Sequence, residues 1–291
     1  MLLNDIEEML EENGYSYCEY SGCFDIAARR EFIMLLKVLN NVDSFQEEQA
    51  NNLKTLSNDL DAKPMLVGVN TRREALSDDV IYDRFDIPTV NPRTLENIIH
   101  GSMPTIFRFR GGLFVEIDPA SLKSAREDVG LSQSDLAEKV GITKKSVYEH
   151  ESKKLKIVYK NAVRIEKALK TSLILPLELK MPYAAKIKPR STFEGKISQN
   201  FRRMGFATDF VYQSPFNMIA KERSFMLISD VDEKKNRIQK NLPYIAEFSE
   251  VTRKSAIVVT NEEINCNIPA LRQDELPGLK SRDIRKLLKR W

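Results

Sequence analysis

LSQSDLAEKVGITKKSVYEHE, Leu131 to Glu151, is the stretch on which the reading of this chain turns. Ser132 is a strong N-cap residue, and Asp135 three positions on supplies the returning acceptor of a capping box. Leu136 and Val140 repeat at helical spacing, and the small Ala137 beside them leaves room for a second helix to cross closely. Gly141 stands where a helix commonly ends in left-handed backbone. Ile142 is an apolar plug, Thr143 can cap the next helix, and Val147 turns back to the core. Lys144, Lys145, Tyr148 and Glu149 are left facing outward. The stretch predicts two short helices joined by a tight turn, the second one basic. Working outward, Leu122, Ala125 and Val129 predict a preceding helix. Ala162, Val163, Ile165, Ala168 and Leu169 predict a following one, so four or five short helices share one small core.

A cap, a small residue, a glycine and a plug at these spacings make a helix-turn-helix, which sets its second helix into a DNA major groove. From Ser121 to Leu173 the segment resembles the Cro/phage-repressor class, whose Ser-Gln-x-x-Leu-Ala run stands here as Ser132, Gln133, Leu136 and Ala137. The resemblance implies that Gln133 touches the DNA backbone and braces the reader helix. It implies that Lys144, Lys145 and Glu149 face base edges and that Ser146 meets a phosphate. Thr143 and Tyr148 join the same DNA-facing set. The chemistry is compatible, since Lys donates to guanine O6 and N7 and Glu accepts from cytosine N4. Glu149 also lies four residues after Lys145, so a surface ion pair competes with base contact. Lys153, Lys154, Lys156 and Lys160 read as phosphate anchors, which are indifferent to sequence and sensitive to salt.

With 291 residues there is room for two or three domains. An apolar fraction of 42% and a charged fraction of 30% describe an ordinary globular protein. No apolar run approaches the roughly 20 residues a membrane span needs. The acidic start MLLNDIEEMLEENG lacks the features of a secretory signal. Cys18, Cys23 and Cys266 are few and odd in number, which points to a reduced, cytoplasmic setting without a disulfide framework. His100 and His150 are isolated, no Cys/His spacing suggests zinc, and no Gly-rich phosphate loop suggests a nucleotide, so neither metal nor cofactor is expected. The net charge of +3 hides a segregation. Residues 1–118 carry 11 Lys+Arg against 21 Asp+Glu, or −10; residues 119–170 carry 12 against 7, or +5; residues 171–291 carry 22 against 14, or +8. Phosphate would repel the first segment and attract the other two.

The flanks of the motif echo each other. NGYSYCEYSGCFDIAARREFIMLLKV, Asn13 to Val38, faces MGFATDFVYQSPFNMIAKERSFMLISDV, Met204 to Val231, with Gly14 on Gly205, Phe24 on Phe216, Asp25 on Asn217 and Ala28 on Ala220. KPMLVGVN, Lys63 to Asn70, then faces KSAIVVTN, Lys254 to Asn261, and IPTVNPRTL, Ile87 to Leu95, faces IPALRQDEL, Ile268 to Leu276. Each copy reads helix, strand, strand, helix, strand, strand, helix. In the first, Ile6, Met9 and Leu10 mark the opening helix, a hairpin turns around Arg29-Arg30-Glu31, and Phe45 to Leu60 is helical. Met65 to Val69 is a continuous apolar run of the kind a buried strand shows. The last helix of the second copy carries Ile284, Leu287, Leu288 and Trp291 on one stripe and Lys and Arg on the other.

This order resembles the restriction-endonuclease-like or Holliday-junction-resolvase-like α/β core. Enzymes of that core use a strand-borne Asp, then an acid two residues before a Lys on the next strand, to hold Mg²⁺ and activate water. Asp25 and Lys37 fall in the matching places, but the acid slot is Leu35. Glu7, Glu8 or Glu19 could supply a second carboxylate, though nothing in the sequence fixes them there. In the second copy Asn217 and Ser229 replace both residues. One Asp with one Lys is a poor magnesium site, so both copies read as nuclease-like folds without nuclease activity. The whole layout also resembles a family of archaeal regulators of about this length, with a Cro-like helix-turn-helix set among α/β domains.

The expected architecture is multidomain: an acidic nuclease-like α/β domain at 1–103, a β-hairpin connector at 104–118, an all-α helix-turn-helix domain at 119–175, a proline-containing linker at 176–192, and a basic α/β repeat of the first domain at 193–291. Gly111-Gly112 in PTIFRFRGGLFVEIDP signals the hairpin. Its Arg108 and Arg110 would touch DNA as a wing, or the ribbon would merely dock the helices; the second reading is favoured. The expected function is a sequence-specific, homodimeric regulator of transcription bound to double-stranded DNA. The opposite charges of the copies suit pairing across a dimer or within one chain. A nuclease targeted by the motif is one alternative, and an adaptor contacting the transcription machinery through the acidic segment is another.

Overall fold

The computed structural model describes residues 2–109 and 111–289. Arg110 of the expected ribbon and Trp291 of the expected last stripe lie outside the described residues. The elements begin with α1 (Leu2–Glu12), β1 (Ser16–Glu19), β2 (Ile26–Arg29), β3 (Ile33–Asn41), α2 (Glu47–Leu60), β4 (Lys63–Asn70), β5 (Val80–Arg84), β6 (Ile87–Val90) and α3 (Pro92–Ile99). They continue with β7 (Ile106–Phe109), β8 (Gly112–Ile117), α4 (Pro119–Asp128), α5 (Gln133–Val140), α6 (Lys144–Ser152), β9 (Lys156–Val158), α7 (Tyr159–Leu169) and β10 (Ile174–Leu175). They close with α8 (Thr192–Arg203), β11 (Ala207–Phe210), β12 (Met218–Glu222), β13 (Phe225–Val231), α9 (Lys235–Thr252), β14 (Ser255–Val259), β15 (Ala270–Leu271) and α10 (Ser281–Leu288).

Two compact units result, one of Met1–Leu66, Phe85–Ile87 and Met181–Trp291, the other of Val67–Arg84 and Pro88–Lys180. Their division differs from the boundary expected at residue 103. The reason is the parallel pairing of β5 with β7, Val80 opposite Ile106 and Ile81 opposite Phe107, which ties the chain after β4 to the hairpin that follows it.

In the first unit the echoing segments take the same form. Strands run in the order β1-β2-β3-β4 in one copy and β11-β12-β13-β14-β15 in the other. The first three strands of each are antiparallel neighbours. Ile6 and Leu10 of α1, like Ile197 and Phe201 of α8, are fully buried under their sheets. Gly14 (φ +71°) and Gly205 (φ +99°) end those helices, with N–H groups donating to Glu11 O at 2.9 Å and Arg202 O at 3.0 Å. In each copy the first strand is one that the sequence pattern does not predict. β1 and β11 are four-residue edge strands, SYCE and ATDF, too short and too polar to show an apolar alternation.

The copies pack on each other within the chain. Phe248 of α9 lies between Phe24 of the first copy (centroids 5.6 Å apart) and Phe216 of the second (5.0 Å). In exchange α2 reaches the second copy: Asn52 Oδ1 accepts from Tyr212 N at 2.6 Å, and Asp59 pairs with Lys221 at 2.7 Å. Arg29 Nη1 donates to Thr252 O and Cys23 N to Gln213 O.

In the second unit the strand order is β6-β5-β7-β8-β10, with β9 also on β8. Gly111, at φ +78°, turns the β7–β8 hairpin in backbone that suits glycine. Val115 and Ile117 of this ribbon, with Ile157 of β9, enter a single core with Leu122, Leu136, Ala137, Val140, Val147, Ala162, Ile165 and Leu169 of the helices. The ribbon is therefore part of the helical domain's wall. Arg108, considered for a DNA-touching wing, instead pairs with Glu74 at 2.6 Å. Val129, expected inside the preceding helix, is the C-cap of α4 and is exposed, because Gly130 ends the turn there. Among the described residues, no helix is long and apolar enough to cross a membrane.

Candidate nucleic-acid interface

The motif folds by the local chemistry its spacing implies. Ser132 Oγ accepts from Asp135 N (3.2 Å) and Asp135 Oδ2 accepts from Ser132 N (2.8 Å), closing the capping box of α5. Gly141 ends α5 at φ +75°, its N–H returning to Ala137 O. Thr143 caps α6, its Oγ1 accepting from Ser146 N at 3.1 Å. That bond engages the Thr143 hydroxyl, expected from the sequence to face DNA, in starting α6. Val147 and His150 turn inward at 1% and 8% exposure, while Lys144, Lys145 and Tyr148 on the other face are exposed. Ser146 is half-buried at the first turn. Burial pulls the His150 pKa below the usual imidazole value, so α6 gains no charge from it near neutral pH.

What holds α6 in place is a charged network that sequence reading missed. Arg126 of α4 donates from Nε to Glu151 Oε1 (2.5 Å) and from Nη2 to Glu151 Oε2 (3.1 Å), while its Nη1 donates to Leu131 O (2.7 Å). Gln133 at the start of α5 donates from Nε2 to Glu151 Oε2 (2.8 Å). Three helices thus meet at one carboxylate whose side chain is 3% exposed. Burial pushes Glu151 up, but the bonds from Arg126 and Gln133 outweigh it and leave its pKa lowered. A signal was available: Arg126 lies four residues after buried Leu122, and Glu151 four after buried Val147, so each charge sits on an apolar stripe.

The lysines divide. Lys145 Nζ lies 3.8 Å from Glu149 Oε1, a long and exposed pair of little energetic weight. Lys154 pairs with Glu116 at 3.1 Å, so only part of its charge is open to a phosphate. Lys156 lies over the rings of Phe107 (4.2 Å) and Phe109 (5.2 Å). Lys153 and Lys160 are exposed.

The nuclease-like positions are assembled quite differently. Asp25 Oδ1 accepts from Lys37 Nζ at 2.8 Å and Oδ2 from Val38 N at 2.7 Å, and Lys37 Nζ also donates to Gly22 O. Leu35 occupies the acid slot, wholly buried. A magnesium ion needs clustered oxygen ligands, and the donor set here is one carboxylate, already bonded, beside an ammonium and a leucine. The residues do not fit the metal. In the second copy the register corrects the pairing read from sequence. Asn217 N donates to Ser229 O as Asp25 N does to Leu36 O, and Val231 N donates to Asn217 Oδ1 as Val38 N does to Asp25. Ser229 therefore answers to Leu36, and the counterpart of Lys37 is Asp230. The cause is the turn: three residues separate Arg29 from Ile33, but two separate Glu222 from Phe225. Asp230 is fully buried, which pushes its pKa up to about 6 against the pull of Arg237, 2.7 Å away.

Comparison with known proteins agrees with this division. Residues 1–104 match the PD-(D/E)XK superfamily domain, and residues 122–175 match the helix-turn-helix family. A protein of Pyrococcus furiosus named "Putative HTH-type transcriptional regulatory protein" is 33% identical over 97% of this chain and 94% of its own length. Proteins of the same name from Methanothermobacter thermautotrophicus (32%, covering 97% and 91%) and Pyrococcus horikoshii (31%, 97% and 94%) are similar. No solved structure matches. With a DNA-reading motif built on a braced helix and relatives matched end to end, the chain belongs to this family of archaeal HTH-type transcriptional regulatory proteins and is a DNA-binding regulator.

Proposed function

We propose that this regulator reads a short DNA sequence through the major groove with α6, that it works as a homodimer, and that it cuts nothing. The observation that carries the reading is the two-faced α6: Lys144, Lys145 and Tyr148 are exposed while Val147 and His150 are buried and Glu151 is bonded to two other helices. Gln133 braces that helix and stands beside the backbone; Lys144, Lys145 and Glu149 face base edges; Ser146, Lys153 and the remaining charge of Lys154 anchor phosphates. One small motif reads few base pairs, so a dimer spanning two half-sites about one helical turn apart gives a usable address.

A genome-wide binding map supplies the operator. Lys144→Ala/Lys145→Ala should then abolish discrimination between that operator and scrambled duplex, measured by fluorescence anisotropy. A double variant that still discriminates sinks the assignment of α6. The absence of cleavage rests on Leu35 and on the bonded Asp25 carboxylate. Branched and linear DNA should survive incubation with the protein and Mg²⁺ or Mn²⁺. Cutting that disappears in Asp25→Ala would overturn this part of the reading.

A further inference from the structure

Three segments of the second α/β copy that meet at Glu222 carry six cations: Arg202 and Arg203 at the end of α8, Arg223 in the β12–β13 turn, and Arg282, Arg285 and Lys286 on α10. Arg285 Nη2 donates to Glu222 Oε2 at 2.7 Å, Ser281 Oγ donates to Glu222 Oε1 at 3.1 Å, and a Cβ on Gly205, just past α8, would lie 3.9 Å from that same oxygen. The Arg285 guanidinium also lies 4.5 Å over the Phe225 ring, and Phe225 packs on Phe206. Arg202 Nε is held by Thr208 Oγ1 at 2.9 Å. Arg202, Arg203, Arg223, Arg282 and Lys286 are exposed. Two of the guanidinium groups are thus fixed on one side while the cluster faces solvent, which lowers the entropy lost when an anion is bound.

The fold does not require this charge. The helix-end hydrogen bonds align the end of α8 with the end of α1 in the first copy, placing Arg202 on Glu11 and Arg203 on Glu12. Its β2–β3 turn carries exposed Glu31 beside Arg30. Glutamates at the end of α1 stand where α8 carries Arg202 and Arg203, so the fold leaves the sign of this charge open, and the basic version suits a polyanion. We propose that the corner formed by α8, the β12–β13 turn and α10 is a second, sequence-independent contact surface for the DNA phosphate backbone. It rests on the chain being a DNA-binding protein, and it is separate from the reading by α6.

The test uses the full-length protein and two independent pairs, Arg202→Gln/Arg203→Gln and Arg282→Gln/Lys286→Gln. Affinity is measured against salt on an operator duplex and a scrambled one. A lost phosphate contact lowers the slope of log K against log salt by about 0.9. Each pair should therefore flatten the slope by about one to two and weaken both duplexes by the same factor, with an unchanged melting temperature. A slope and affinity like the wild type's in both pairs overturn the proposal, and so does a loss confined to the operator. Wild-type protein that binds neither duplex would remove the function proposed for α6 as well. Normal operator binding that is lost in Lys144→Ala/Lys145→Ala but untouched by both corner pairs would remove the corner alone.

Discussion

The two α/β copies share a hairpin and treat its central position in opposite ways. In the first, Asp25 faces Lys37; in the second, Asn217 faces Asp230, which takes Arg237 as its cation. One bond survives the exchange: a side-chain oxygen at the mouth of the hairpin accepts from the backbone N–H of Val38 or Val231, at 2.7 and 2.8 Å. At Asp25, as at Asn217, a side-chain oxygen satisfies a backbone amide of the hairpin's second strand. The charge beside it is free to change sign, provided a counter-charge is near, as Arg237 is to Asp230.

The largest effect should come from the residue that joins the copies. Phe248→Ala removes a ring wedged between Phe24 and Phe216, and a buried cavity of that size costs about 3–5 kcal/mol. Urea unfolding of the variant should show that loss in one transition shared by both copies. Two separate transitions, or a loss below about 1 kcal/mol, would mean that the copies stand independently and that the shared hairpin is the extent of their likeness. A smaller effect sharpens the comparison at Asp25. Asp25→Asn keeps the bond to Val38 N, as Asn217 does for Val231, whereas Asp25→Ala strands that amide. The Ala variant should be less stable than the Asn variant by about 1–3 kcal/mol. Equal stabilities would return Asp25 to the list of candidates for chemistry.

Much of this was legible in the chain. The capping box at Ser132, the left-handed Gly141 and the cap at Thr143 are nearest-neighbour matters, settled by side chains two or three residues from the backbone they satisfy. The duplication was legible as well, because matched blocks in the same order survive low identity. The Arg126–Glu151 bond escaped because its partners lie 25 residues apart. Asp230 was hidden by one residue of turn length, and a one-residue slip changes every facing pair along a strand. Lys154 looked free until Glu116 of the adjoining ribbon was placed beside it.

By itself the sequence determined where the two motif helices start and where the first of them stops, that a helix-turn-helix lies mid-chain, and that its flanks repeat with opposite charge. Only the tertiary structure decided that the repeats pack on each other within one chain, that the Gly111 ribbon walls the helical core, and that three segments carrying six cations meet at Glu222. Caps and periodicities act over one helical turn and are written in adjacent residues. Partners across a core are chosen by packing and strand register, which no single stretch of sequence contains.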